Sequence, residues 1–134
     1  MPAVFIPQRR SMPRILIAED EKDIRELIAF TLRFAGFDVL LATNGVEAVE
    51  VAEAEGPDLV ILDVRMPKMS GYEACRRLKE NPKTAPLPVV FLSAKGQDSE
   101  IQQGLESGAE EYILKPFAPD ELIQQVRDIL NRQR

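Results

Sequence analysis

Five short apolar runs recur along the chain, at 15–18, 39–42, 59–62, 89–92 and 112–114, and most are continuous rather than alternating. Continuous runs of this length suit strands covered on both faces. Between them the apolar positions fall at helical spacing. Ile24, Leu27, Ile28, Leu32 and Ala35 mark one face of a first helix, and Leu122, Val126, Ile129 and Leu130 mark one face of the last. Alternation of strand with helix implies crossover connections and so a parallel sheet. Asn44 with Glu47, and Ser70 with Glu73, have capping-box spacing, while Gly36, Gly56 and Gly108 fall where helices should stop. Pro119, Asp120 and Glu121 suit a first turn, where a missing N–H costs little and negative charge meets the positive dipole end. The expected architecture is α/β: a doubly wound (βα)₅ fold around a parallel sheet in the flavodoxin-like order 2-1-3-4-5.

The 134 residues fit one domain with one compact core. With 45% apolar and 29% charged residues the composition is that of a soluble globular protein, and no segment approaches the roughly 20 apolar residues of a membrane span. No membrane partner is expected. Residues 1–13 carry Pro2 and Pro7 inside a short apolar patch and Arg9 and Arg10 after it, the wrong order for a secretory signal. They read as a flexible leader before a domain over 14–134.

Charge and residue usage narrow the chemistry further. The lone Cys75, in a helical pattern beside Tyr72 and Leu78, reads as a small packing residue and excludes an internal disulfide, so the cytoplasm is the default location. The absence of histidine removes Ser-His-Asp and Cys-His reactions, most zinc sites and any role as a phosphohistidine donor. A net charge of −5 argues against sequence-independent affinity for nucleic acid, and no room is left for a DNA-reading module.

Carboxylates must therefore do the work. In an open parallel sheet ligands bind beyond the carboxyl ends of the strands. The first run ends in Glu19 and Asp20, the third in Asp63, the fourth in Ser93 and the fifth in Lys115. Taken singly, Asp20 could cap a helix, Asp63 begin a turn, Ser93 cap a loop and Lys115 stand in solvent. Together, three carboxylates brought within a few Å persist only if protonated or bridged by a cation. An all-oxygen acidic set suits Mg²⁺. A phosphoryl group then accounts for the rest: Lys115 and Mg²⁺ neutralise it, Ser93 donates to it, and Asp63 is the nucleophile that forms an acyl phosphate. Ala94, next to Ser93, leaves the approach open. Lys115 stands at a strand's polar edge, so loss of its ammonium should harm signalling more than folding.

The segments LIAEDE, DVRMPKMSG after Asp63, FLSA around Ser93 and GAEEYILKPF through Lys115 resemble the response-regulator receiver family, and the resemblance runs from about Arg14 to the final helix. It implies a phosphorylation-dependent switch that catalyses only its own phosphorylation and dephosphorylation. Asp63 would be the phosphoacceptor, with Asp20, Asp63 and the backbone carbonyl of Arg65 as Mg²⁺ ligands and Glu19 acting through water. Ser93, the Ala94 backbone and Lys115 would hold the phosphoryl group. Ser93 and Tyr112 would form the switch pair, the ring turning inward behind the hydroxyl. The Lys115–Pro116 bond is expected to be cis, a state open to X–Pro bonds at small cost. Arg65 and Lys95 would flank the path of water to the phosphoryl group.

A sensor histidine kinase or a histidine phosphotransfer protein is the implied donor. Output would run to a downstream protein through a fourth helical segment at 98–107, the fifth strand at 111–114 and the last helix at 119–131. Gln102, Gln103, Glu106, Gln124, Gln125 and Arg127 give that face the polarity of a transient contact. The oligomeric expectation is a monomer or a phosphorylation-dependent dimer. Other functions fit less well. A haloacid-dehalogenase-type phosphatase has a second acid two residues after its nucleophile, where this chain has Arg65; a flavodoxin-type carrier would meet Glu19 and Asp20 where it cradles a flavin phosphate. A phosphorylation-independent binding module, or a receiver that is a fragment of a larger regulator, stands as the alternative.

Overall fold

The computed structural model describes residues 12–94, 106, 108, 109 and 111–132. The strands are β1 (Arg14–Ala18), β2 (Asp38–Ala42), β3 (Leu59–Asp63), β4 (Val89–Ala94) and β5 (Glu111–Lys115); the helices of the described residues are α1 (Lys22–Phe34), α2 (Gly45–Glu55), α3 (Gly71–Glu80) and α4 (Pro119–Arg132). All four strand pairings are parallel, as the pattern predicts, and the sheet order is β2-β1-β3-β4-β5, the flavodoxin-like order expected. The expected helix at 98–107 lies outside the described residues apart from Glu106, as does Lys95. So does the leader, save Met12 and Pro13; the Pro13 carbonyl already accepts from the Asp38 N–H at 3.0 Å.

The continuous apolar runs are continuous because β1, β3 and β4 are covered on both sides. Successive residues alternate between two cores. Ile15, Ile17, Leu59, Ile61, Val90 and Leu92 pack with Ile28 and Leu32 of α1 and Leu122, Val126 and Ile129 of α4. Leu16, Ala18, Val60, Leu62 and Phe91 pack on the other side with Ala48 and Ala52 of α2 and Cys75 and Leu78 of α3. The edge strand β2 is only partly covered, in keeping with its position.

The caps bear out the punctuation. Asn44 Oδ1 accepts from the Glu47 N–H at 2.8 Å, and Ser70 Oγ from the Glu73 N–H at 3.2 Å; the Glu47 carboxylate reaches back to the N–H of Thr43 rather than of Asn44. Gly36, at φ 97°, closes α1 with a paired return, its own N–H on the Arg33 carbonyl and the Phe37 N–H on the Leu32 carbonyl, both 3.0 Å.

One expected core position is corrected. Leu27 is 51% exposed and joins Phe30 and Phe34 on an outward stripe of α1. At about 100° per residue, the stripe Ile24, Ile28, Thr31, Leu32 and Ala35 leaves Leu27 off the core side. Thr31 takes a buried place because its hydroxyl donates to the Leu27 carbonyl at 2.8 Å.

Candidate functional site

Four neighbouring strands, β1, β3, β4 and β5, deliver polar groups at or just past their carboxyl ends. Asp63, Ser93 and Lys115 lie within the last residues of β3, β4 and β5, and Glu19 and Asp20 follow β1 directly. Their backbones are held by the ladder: the Glu19 N–H donates to the Ala42 carbonyl at 3.1 Å, and the Val64 N–H to the Leu92 carbonyl at 3.1 Å. Asp20, Glu21, Asp63, Val64, Arg65, Ser93 and Lys115 line a cleft of about 400 Å³. The cleft therefore brings together four of the residues singled out at the strand ends, Asp20, Asp63, Ser93 and Lys115, with Arg65 beside them, and Glu19 joins them from beneath through Lys115.

Asp20 is exposed, and the residue capping α1 is Glu21, whose side chain makes no capping bond. The helix-cap explanation of Asp20 thus fails. Carboxylate oxygens of Glu19, Asp20 and Asp63 come within 4.8 Å of one another. Glu19 is fully buried. Its Oε1 accepts from Lys115 Nζ at 2.8 Å and its Oε2 from the Glu21 N–H at 3.1 Å. Lys115 Nζ also stands 3.4 Å from Asp63 Oδ1, so the ammonium bridges two carboxylates, the nearer being Glu19. Its side chain is only 17% exposed, which corrects the picture of Lys115 as a residue outside the packed interior.

This crowding sets the charges. Burial pushes Asp63 up to about 7, helped by the hydrogen bond and repulsion of Glu19 and opposed by Lys115. Burial also pushes Glu19 upward, but hydrogen bonds from Lys115, Asp63 and the Glu21 N–H, with the Lys115 charge, outweigh it and hold Glu19 below its ordinary value. Burial works against the charge of Lys115, yet the two carboxylates prevail and raise it. The metal-free pocket thus holds Glu19 as carboxylate and tends to keep a proton on Asp63.

The loop after Asp63 is positioned by close packing. A Cβ on Gly71 would be driven onto the Asp63 carbonyl oxygen, and one on Gly45 onto the Met69 carbonyl oxygen. Both positions need glycine for approach rather than for conformation. The Gly71 N–H donates to the Val64 carbonyl at 2.9 Å. On the opposite side, Arg25 of α1 donates to the carbonyls of Glu19 at 2.8 Å and Asp20 at 3.3 Å, steadying the acidic turn. Arg25 was not legible from the strand ends, because it acts on backbone from a helix face.

Tyr112 lies on β5 and its ring packs on Phe91. The Lys115–Pro116 bond is cis. Of the residues expected on one output face, Gln125 turns toward Glu111 of β5, whereas Gln124 and Arg127 line a different cleft with Phe34 and Ala35 of α1. The last helix divides them because neighbours on a helix point about 100° apart.

Residues 15–127 match the family model of the response regulator receiver domain. The chain is similar to the phosphate regulon transcriptional regulatory protein PhoB of Pseudomonas aeruginosa, with 45% identity over 118 residues, 88% of this chain and 52% of that protein. It is similar also to the DNA-binding dual master transcriptional regulator RpaA of Synechocystis, with 41% identity over 90% of this chain and 50% of that protein. The chain spans about half the length of the curated relatives it matches. Among solved structures, a response regulator receiver domain from Francisella superposes with a TM-score of 0.84 at 31% identity, covering 91% of this chain and 99% of that one. The receiver domain of a sensor histidine kinase from Pseudomonas aeruginosa, solved with a magnesium ion coordinated in its active site cleft, superposes with a TM-score of 0.81 at 29% identity, covering 92% and 98%.

Proposed function

The chain belongs to the response regulator receiver domain family, and from that premise we propose that it takes a phosphoryl group from a sensor histidine kinase or a histidine phosphotransfer protein onto Asp63, with Mg²⁺, and thereby changes its affinity for a downstream protein. The observation that carries this is the convergence of Glu19, Asp20 and Asp63 within 4.8 Å beside an ammonium at one sheet edge. An all-oxygen set of this kind fits Mg²⁺, which prefers carboxylate, carbonyl and water oxygens. Asp20, Asp63 and the Arg65 carbonyl would hold the ion. Glu19 would act through water, since its two oxygens already accept from Lys115 and the Glu21 N–H. The ion, when bound, supplies charge neutralisation at the phosphoryl oxygens.

The chain's own residues do the remainder. The Asp63 carboxylate attacks phosphorus, a carboxylate-oxygen-to-phosphorus bond forms, and the bond from phosphorus to the donor's leaving atom breaks. Lys115, the Ser93 hydroxyl and the Ala94 backbone N–H stabilise the transferring group, Ser93 and Tyr112 carry the change outward, and Arg65 flanks the approach of water. The phosphoryl group carries about −1.5 to −2 where the Asp63 carboxylate carried −1, and this charge, with its three acceptor oxygens, is what repositions them. The output face would be β5 with the near side of α4 and the segment at 98–107. Leu114, 47% exposed on β5, gives it an apolar point.

Incubation with Mg²⁺ and acetyl phosphate, followed by intact mass measurement, should add the mass of one phosphoryl group in the native protein and none in Asp63→Asn. Addition to both proteins would exclude Asp63 as acceptor. Mg²⁺ alone should raise the melting temperature by mass action on the folded state. The rise should vanish in Asp20→Ala; an equal rise in that variant would remove Asp20 from the ligand set.

A further inference from the structure

On the face of the sheet beneath the acceptor loop, two tyrosines close around one phenylalanine. Phe91 of β4 lies two residues before Ser93 and is the register partner of Tyr112 on β5. The Tyr72 ring meets the Phe91 ring edge-on, with centroids 5.1 Å apart at 74°, and the Tyr112 ring meets it at 5.5 Å and 50°. Beyond the phenylalanine the two tyrosines join, hydroxyl to hydroxyl, at 2.9 Å. Tyr72 is only 9% exposed, and it sits one residue after Gly71, whose backbone is pressed against the Asp63 carbonyl. The same Tyr72 lines a cleft with Asp20, Arg65, Pro67 and Ser70. It therefore belongs at once to the acceptor loop and to the contact that seats Tyr112.

We propose that Tyr72 is a positioning residue for the switch, its hydroxyl latching Tyr112 in the inward position on Phe91, so that the loop following Asp63 reports to β5 directly as well as through Ser93. The inference rests on Tyr112 being the switch residue of the reading above. Physically, a solvent-facing Tyr112 keeps its hydroxyl satisfied by water, so the latch adds only the net value of one neutral hydrogen bond together with aromatic contact. That is enough to bias a two-state ring and too little to lock it. Tyr72→Phe keeps the ring against Phe91 and removes the bond to Tyr112, so the fold should persist.

The test compares the native protein, Tyr72→Phe, Tyr112→Phe and the double variant by NMR and by titration with beryllofluoride, a mimic of the phosphoryl group, in the presence of Mg²⁺. In Tyr72→Phe, nuclear Overhauser contacts between the Tyr112 and Phe91 rings should weaken, the Tyr112 phenol carbon should move toward its solvent-exposed shift, and the apparent beryllofluoride affinity should fall about two- to tenfold. Tyr112→Phe should lose about as much, and the double variant no more than either alone. Unchanged ring contacts and affinity in Tyr72→Phe would overturn the latch. Tyr112→Ala separates the two readings: if it leaves beryllofluoride affinity and the shift changes around β5 untouched, the switch role of Tyr112 fails, and the latch with it. If Tyr112→Ala weakens both while Tyr72→Phe does neither, the latch alone fails.

Discussion

Replacing Asp63 with asparagine is expected to stabilise the metal-free chain by roughly 2–4 kcal/mol at pH 8 and by about 1 kcal/mol at pH 5. Asp63 is pushed up to about 7 in the folded chain, first by burial and then by Glu19. In the unfolded chain it titrates near 4, as an ordinary aspartate. A carboxyl raised on folding binds more protons folded than unfolded across that window, so stability falls as pH rises from about 4 to 7 and levels off above. Asparagine keeps the shape, carries no charge at any pH in the window, and can donate to Glu19. Denaturant unfolding of both proteins in a chelator, at pH 5 and pH 8, measures the difference. A difference that stays constant across pH would mean that Asp63 takes up no proton on folding.

The same linkage governs the metal. A cation held by Asp63, as proposed, would compete with the proton there, so apparent Mg²⁺ affinity should climb with pH up to about 7 and flatten beyond it. Saturating Mg²⁺ should also shrink the advantage of Asp63→Asn, because the native carboxylate then has a partner that asparagine matches poorly. On the proposed reading, the burial and repulsion that make metal-free Asp63 costly would favour its meeting a cation or a phosphoryl group.

The sheet and the positions of Glu19, Asp20, Asp63, Ser93 and Lys115 were legible because both follow from local rules. Apolar runs of strand length give way to a polar residue where the chain leaves the sheet, and parallel strands gather those residues at one edge. What was not legible depends on rotation about a helix axis or on contacts far apart in sequence. Leu27 differs from Ile28 by one step of helix phase, and only packing against the sheet shows which faces inward. The Tyr72–Tyr112 pair spans 40 positions, and Arg25 addresses backbone carbonyls, which leave no trace in residue identity. The Lys115–Glu19 bond spans 96 positions. The strand ends indicate that the two residues are near, but not that the longer glutamate reaches the ammonium more closely than Asp63 does.

That bond changes what the loss of the lysine should do. An edge lysine could be removed with little effect on folding, yet Lys115 is the 2.8 Å partner of a carboxylate with no solvent exposure. Removing one member of a buried pair leaves the other unpaired, which costs about 3–5 kcal/mol unless the orphan neutralises itself. In Lys115→Ala, Glu19 can do so by taking up a proton, which limits the loss to about 3 kcal/mol at pH 7 and about 1 kcal/mol at pH 5. The expected sign follows from Glu19: burial, the largest influence on it, is outweighed in the native chain by Lys115 together with Asp63 and the Glu21 N–H, so losing the ammonium should raise its folded value. Stability of the variant then falls with rising pH where the native Glu19 contributes stability at neutral pH. Denaturant unfolding in a chelator, for Lys115→Ala, Glu19→Gln and the double variant, isolates the pair. The double variant should regain most of what Lys115→Ala loses, since glutamine leaves no buried charge behind. A Lys115→Ala protein within about 1 kcal/mol of the native one at pH 8 would mean that Glu19 does not depend on the lysine. A double variant no more stable than Lys115→Ala would place the lysine's contribution elsewhere, at Asp63, whose oxygen stands 3.4 Å from the same ammonium.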